Sequence, residues 1–197
     1  MAASSDDPNR MTRILTTLAI VSLVLMQAAL ILGVFVGDLY RDPSADTLQM
    51  ATIHRLTGIA AALGVVFVES VVATYFIGTS RWCKEVSETY RLDAGRVQKS
   101  NRLKRRAFAV AVVGMLTVVG IIALGGAADP ATGRPDTQFW TIYHMSAAMV
   151  GFAIIAWTYF VAWQYVWQQN AIIQEIVGEV AEIRREKGLE PLTAAAK

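Results

Sequence analysis

The chain of 197 residues contains two histidines, His54 and His144. Asp46 precedes His54 by eight positions, and Asp136 precedes His144 by the same eight. The flanking stretches also correspond. L-G-V-F-V-G-D-L-Y-R-D-P followed by D-T-L-Q-M-A-T-I-H lies over L-G-G-A-A-D-P followed by D-T-Q-F-W-T-I-Y-H. Each histidine falls a little over one turn inside a long apolar run, where an ionisable side chain is costly and usually faces a bundle interior with a partner. A single histidine so placed is satisfied by a hydrogen bond to a neighbouring helix. Two at one depth, on two equivalent helices, can instead supply both axial ligands of a porphyrin iron, with neutral ring nitrogens on opposite sides of the metal.

A flat macrocycle between helices needs small side chains beside it. Gly58 and Ala61 share the face of His54, and Ala148 and Gly151 hold the matching places beside His144. Small residues are equally the usual means of close packing between membrane helices, and Gly33 with Gly37 shows the same habit. Acidic groups of a macrocycle would point outward from this depth, where Arg55, Arg41 or Arg134 can neutralise them; for Arg55 the alternative is snorkelling to the interface. A zinc or copper site is the competing metal reading. Two histidines leave it incomplete unless Asp38, Asp42 or Asp46 folds back. Glu69 is the one acid inside an apolar run, about 22 Å along the helix from His54. It suits a proton path or, as the simpler expectation, pairing with the basic middle segment.

The elements that must position these groups are membrane spans. Hydrophobic residues make up 54% of the chain and charged residues only 17%, with a mean hydropathy of +0.41. A soluble surface needs more charge. The apolar residues gather into four runs, about 14–37, 51–78, 107–128 and 139–167, each near or above the roughly 20 residues that cross a bilayer core. The expected fold is all-α: a four-transmembrane-helix bundle built from two parallel repeated hairpins, related by an axis along the membrane normal. Pro43, Pro130 and Pro135 mark the hairpin turns. A lone cysteine, Cys83, excludes an internal disulfide framework.

Residues 79–106 form the expected middle loop. Arg81, Lys84, Arg91, Arg96, Lys99, Arg102, Lys104, Arg105 and Arg106 there outnumber Glu85, Glu88 and Asp93. The positive-inside rule makes this loop cytoplasmic, together with the N-terminal segment 1–13 and the C-terminal segment 168–197, in a plasma membrane of prokaryotic type. The basic residues thus report topology, and no nucleic-acid partner is expected. Trp140 and Tyr143, and Trp157, Tyr159, Trp163, Tyr165 and Trp167, fit two interfacial belts of lipid anchors. Beyond Trp167, apolar positions at Ile172, Ile173, Ile176, Val177, Val180 and Ile183 predict an amphipathic cytoplasmic helix that lies on the membrane or against a partner subunit. A short disordered tail follows Gly188.

The residues T-I-H-R-L-T-G-I around His54, Q-A-A-L-I-L-G-V-F-V in the first run and I-Y-H-M-S-A-A-M-V-G-F around His144 resemble one four-helix half of a heme A synthase, over most of residues 14–167. That resemblance implies one b-type heme per chain, near the outer face, with His54 and His144 as its axial ligands. Two departures stand out. Ala51 occupies the position where the family commonly has a glutamate implicated in oxidising the heme methyl group, and residues 38–50 lack the cysteine pair of many members. One half also offers a single heme site, where synthesis needs two unless two chains assemble.

Three functions remain open at this point. The first is a b-type cytochrome subunit for electron transfer, in which a six-coordinate heme has no open position for oxygen chemistry. The second is a half-length heme A synthase-like enzyme acting as a dimer. The third is a heme-free structural or assembly subunit. The partners expected are the lipid bilayer, other membrane subunits or a second copy, and a quinone or cytochrome as electron partner.

Overall fold

A computed structural model describes residues 10–41 and 43–189. Segments 1–9 and 190–197, with Asp42, lie outside the described residues, and with them most of the N-terminal segment, the end of the expected tail and one conceivable zinc ligand. All regular structure among the described residues is helical: α1 (Arg10–Phe35), α2 (Ala45–Tyr90), α3 (Ala94–Ala128), the short 3-10 turn α4 (Pro130–Thr132) and α5 (Thr137–Glu186). The four long helices are each long and apolar enough to cross a membrane. Each packs against the next in the chain, α1 also packs against α5, and α2 and α5 meet across the middle. The two helices that carry histidines therefore form the central pair.

Hydropathy located the spans but not the helix ends. Segment 79–106, expected as a loop, is helical except at Arg91–Asp93. The stop is local. Arg91 adopts a left-handed conformation (φ 57°), and the Leu92 amide donates to the Ser87 carbonyl at 2.9 Å, closing the end of α2 in a Schellman-type turn. At the other end of α2, Ser44 accepts from the Thr47 amide as an N-cap. Charged residues are good helix formers, so a helix can leave the membrane with no break in its backbone pattern.

The helical extensions pack on one another. Ile172, Ile176 and Val180 of α5 are buried in the same apolar cluster as Cys83 and Leu103. The face expected to lie on a membrane or a partner is thus covered by this chain's own α2 and α3. Arg96 of α3 pairs with Glu175 and Glu179 of α5, and Arg184 donates to the Tyr90 hydroxyl. Burial raises the Cys83 thiol above its ordinary range, which makes this cysteine inert.

Polar rungs cross the bundle. The hydroxyls of Ser22 and Tyr159 lie 2.9 Å apart, Tyr75 donates to Asn170 at 2.6 Å, and Gln169 donates to Ser100, which donates to Ser80. Tyr159 is therefore an interior residue, 3% exposed, and not the lipid anchor expected of it, whereas Trp157 and Trp167 are exposed as anchors should be. The small residue Gly151 lets α3 approach closely, since a Cβ there would run into Ile121 and Thr117.

Apolar contact dominates the cohesion of the extensions. Ile176→Ala is expected to cost about 2–5 kcal/mol through the cavity it leaves, and Arg96→Ala, whose ion pairs are part-exposed, about 1 kcal/mol or less. Reversible SDS unfolding of both variants checks that order.

Candidate functional site

At the end of the bundle where α1 and α3 finish and α2 and α5 begin, the helices enclose a cavity of about 390 Å³, within the range of small-molecule and cofactor sites. Both histidines line it, with Arg55, Gly58, Ala61 and Ala148. Gly151 is not among its lining residues and instead seats α3, as described above. The imidazole centres of His54 and His144 are 6.2 Å apart, and their planes are inclined at 70°.

Each ring lies against a glycine of the preceding helix. A Cβ placed on Gly33 would come within 3.0 Å of His54 Cε1 and 3.4 Å of its Nδ1; on Gly125 it would come within 3.0 Å of His144 Cε1 and 3.3 Å of its Nδ1. The missing side chain brings the ring up to the helix backbone. His54 Nδ1 lies 3.0 Å from the Ala29 carbonyl, four residues before Gly33. Because a carbonyl only accepts, Nδ1 donates in this contact, and Nε2 is the ring nitrogen left for another partner. The counterpart for His144 is the Ile121 carbonyl, four residues before Gly125. That contact stops short of a closed hydrogen bond and leaves His144 Nδ1 buried without a full partner. A backbone carbonyl behind Nδ1 is the usual way in which a metal-ligating histidine is oriented.

Two imidazoles brought this close could share one metal ion. Bonds of about 2.0 Å to a ring nitrogen of each would be within reach at this separation of the ring centres. The protein offers little further ligation: among the described residues no group of three or more His, Cys, Asp or Glu side chains is placed to hold a metal ion. Asp38 is occupied in a turn, accepting from the amides of Tyr40 and Arg41, and Asp46 lies in the first turn of α2. A ligand that brings its own equatorial donors fits this pair better than zinc, which would need more protein ligands.

The cavity mouth is polar. Arg55 Nη1 bonds Asp129 Oδ2 at 2.9 Å and its Nη2 reaches Thr52, tying α2 to the end of α3. Tyr40 donates to the Ala128 carbonyl at 2.8 Å and lines the same mouth. Of the three arginines proposed to meet an anionic group, Arg55 alone lines the cavity; Arg41 pairs with Asp38, and Arg134 with Asp136. Beyond the membrane span, Asp136 is held below the usual carboxylate range, chiefly by the Trp140 indole and then by Arg134. Glu69 does not meet the basic segment: it is fully buried beside Thr158.

Gly33, Gly125, Ala29, Ile121 and Asp129 were missed as site residues. The signal for the two glycines was present in the L-G shared by the matched stretches, at Leu32-Gly33 and Leu124-Gly125. No protein-family model, curated protein or solved structure matches the chain. The site's chemistry therefore rests on its own geometry.

Adding a methyl group at either glycine should displace the imidazole. Gly33→Ala and Gly125→Ala are each expected to cost about 1–3 kcal/mol by overpacking, and Gly58→Ala, whose Cβ meets nothing within 4 Å, should be silent. Thermal unfolding in detergent distinguishes these outcomes.

Proposed function

We propose that this chain is a membrane b-type cytochrome subunit, binding one heme b between His54 and His144 and passing electrons near the outer membrane face. The observation that carries the reading is the imidazole pair: two rings 6.2 Å apart, each pressed onto a glycine of the preceding helix, with His54 also held by the Ala29 carbonyl. The equal setting of the two rings also supports reading the bundle as two repeated hairpins. Orientation follows the basic residues of 79–106, which put the termini and the amphipathic end of α5 on the cytoplasmic side.

Bound heme supplies a one-electron redox couple. His54 and His144 are the residues that would hold the heme iron, and an iron held by both imidazoles would suit one-electron transfer rather than oxygen chemistry. The Ala29 carbonyl orients His54 through Nδ1. Gly58, Ala61 and Ala148 leave room for a flat ring, and the apolar walls keep water from it. Arg55 supplies positive charge at the mouth, where it can hold a propionate in place of Asp129. Electron partners, a quinone or a second cytochrome, would approach from that side. The half-length heme A synthase-like alternative lacks the family's glutamate, because Ala51 stands in its place, 5% exposed and itself packed.

A reduced-minus-oxidised optical spectrum with a pyridine hemochrome assay tests the reading. About one b-type heme per chain is expected, lost or turned high-spin in His54→Ala and in His144→Ala alike. Arg55→Leu should keep the heme and lower its midpoint potential, because removing a nearby cation favours the more positive, oxidised iron. A farnesylated or formyl-bearing heme would instead indicate the synthase-like enzyme. Wild-type protein that carries no heme and cannot be reconstituted with it would refute both readings and leave a structural subunit.

A further inference from the structure

Four helices present polar or small groups at one level in the cytoplasmic half of the bundle: Ser22 on α1, Glu69 on α2, Gly114 on α3, and Thr158 with Tyr159 on α5. Glu69 is 0% exposed. A Cβ on Gly114 would collide with its Oε1 and lie 2.9 Å from its Cδ, so the carboxyl is pressed against the α3 backbone. Its Oε2 is buried with no partner. No positively charged side chain among the described residues offsets it, and the titratable neighbour that feels its charge is Tyr159, whose hydroxyl is engaged with Ser22. An ionised carboxylate in such a place would lack both a counter-charge and water, at a cost of several kcal/mol.

The hydrogen bonds around Thr158 accommodate an un-ionised Glu69. Thr158 Oγ1 lies 2.8 Å from Glu69 Oε1 and 2.8 Å from the Ile155 carbonyl. A threonine hydroxyl has one hydrogen, and a carbonyl has none to give. That one hydrogen can point to Glu69 Oε1 or turn to the Ile155 carbonyl, the ordinary back-bond of a helical threonine. Turned to Ile155, it leaves the Thr158 oxygen free to accept a hydrogen from a protonated Glu69 Oε1. Oε2 is then the carbonyl oxygen of an uncharged acid, whose lack of a partner is far less costly than that of a carboxylate.

We propose that Glu69 is an intramembrane proton-binding site: a carboxylic acid that holds its proton at neutral pH, seated on Gly114 and donating to Thr158. The ligand is a single proton, and the site is separate from the histidine cavity, about 22 Å away along α2. It stands whether or not the histidines bind heme.

Infrared spectroscopy of the full chain in lipid at neutral pH tests it, by subtracting the spectrum of Glu69→Gln from that of wild type. The expected difference is the loss of one un-ionised carboxyl C=O band that shifts in D2O, with no loss of carboxylate absorption. Loss of a carboxylate band instead would overturn the proposal. Should Glu69→Gln fail to fold, Thr158→Val serves as the second variant: removing the acceptor must shift the un-ionised carboxyl band, and an unchanged band would also overturn it. Neither readout depends on bound heme.

Discussion

The hydrocarbon core of a bilayer offers a polar group nothing to bond, so every donor and acceptor that enters it must find a partner among the helices themselves. In this chain several groups meet that constraint side chain by side chain, while Glu69 Oε2, His144 Nδ1 and Gln169 Oε1 are buried without a hydrogen-bond partner. Ser22 finds Tyr159, Tyr75 finds Asn170, Glu69 finds Thr158, and His54 finds a main-chain carbonyl of α1. Most of these bonds join α5 to another helix. Such bonds stabilise membrane bundles only modestly, by about 0.6–2 kcal/mol each, but they fix register: a helix that slides by one residue strands a buried polar atom.

Glycine does a related job at three levels. Gly33 and Gly125 let imidazoles reach the backbone, Gly114 seats a carboxyl, and Gly151 admits Ile121. In each case a side chain from a neighbouring helix fills the space that a Cβ would occupy. Only the first two bear on the cavity, and at Gly33 the closeness matters chemically, because it brings His54 Nδ1 to the Ala29 carbonyl.

The four spans were legible in the sequence because hydropathy is a sum over some twenty residues and tolerates local exceptions. That His54 and His144 meet was legible because matched spacing, Asp46 to His54 and Asp136 to His144, sets matched depth. The helical course of residues 79–106 was not, since basic residues signal a membrane boundary and say nothing of whether the backbone continues to coil. The partner of Glu69 was also hidden. Charge complementarity suggested the basic segment, but a carboxyl deep in a span meets what the adjacent helix presents at that level, here Thr158. Gly151, placed by periodicity beside His144, turned out to serve helix packing, because a helix face is broad enough to touch both a cavity and a neighbour.

The two helices that carry the histidines are also the longest, 46 and 50 residues, and neither has a proline inside it. From His54 to the end of α2 is about 54 Å, and from His144 to the end of α5 about 63 Å. Rods of this kind have no joint. The second of them thus runs as one uninterrupted helix from His144 to the stretch where Glu175 and Glu179 meet Arg96 of α3.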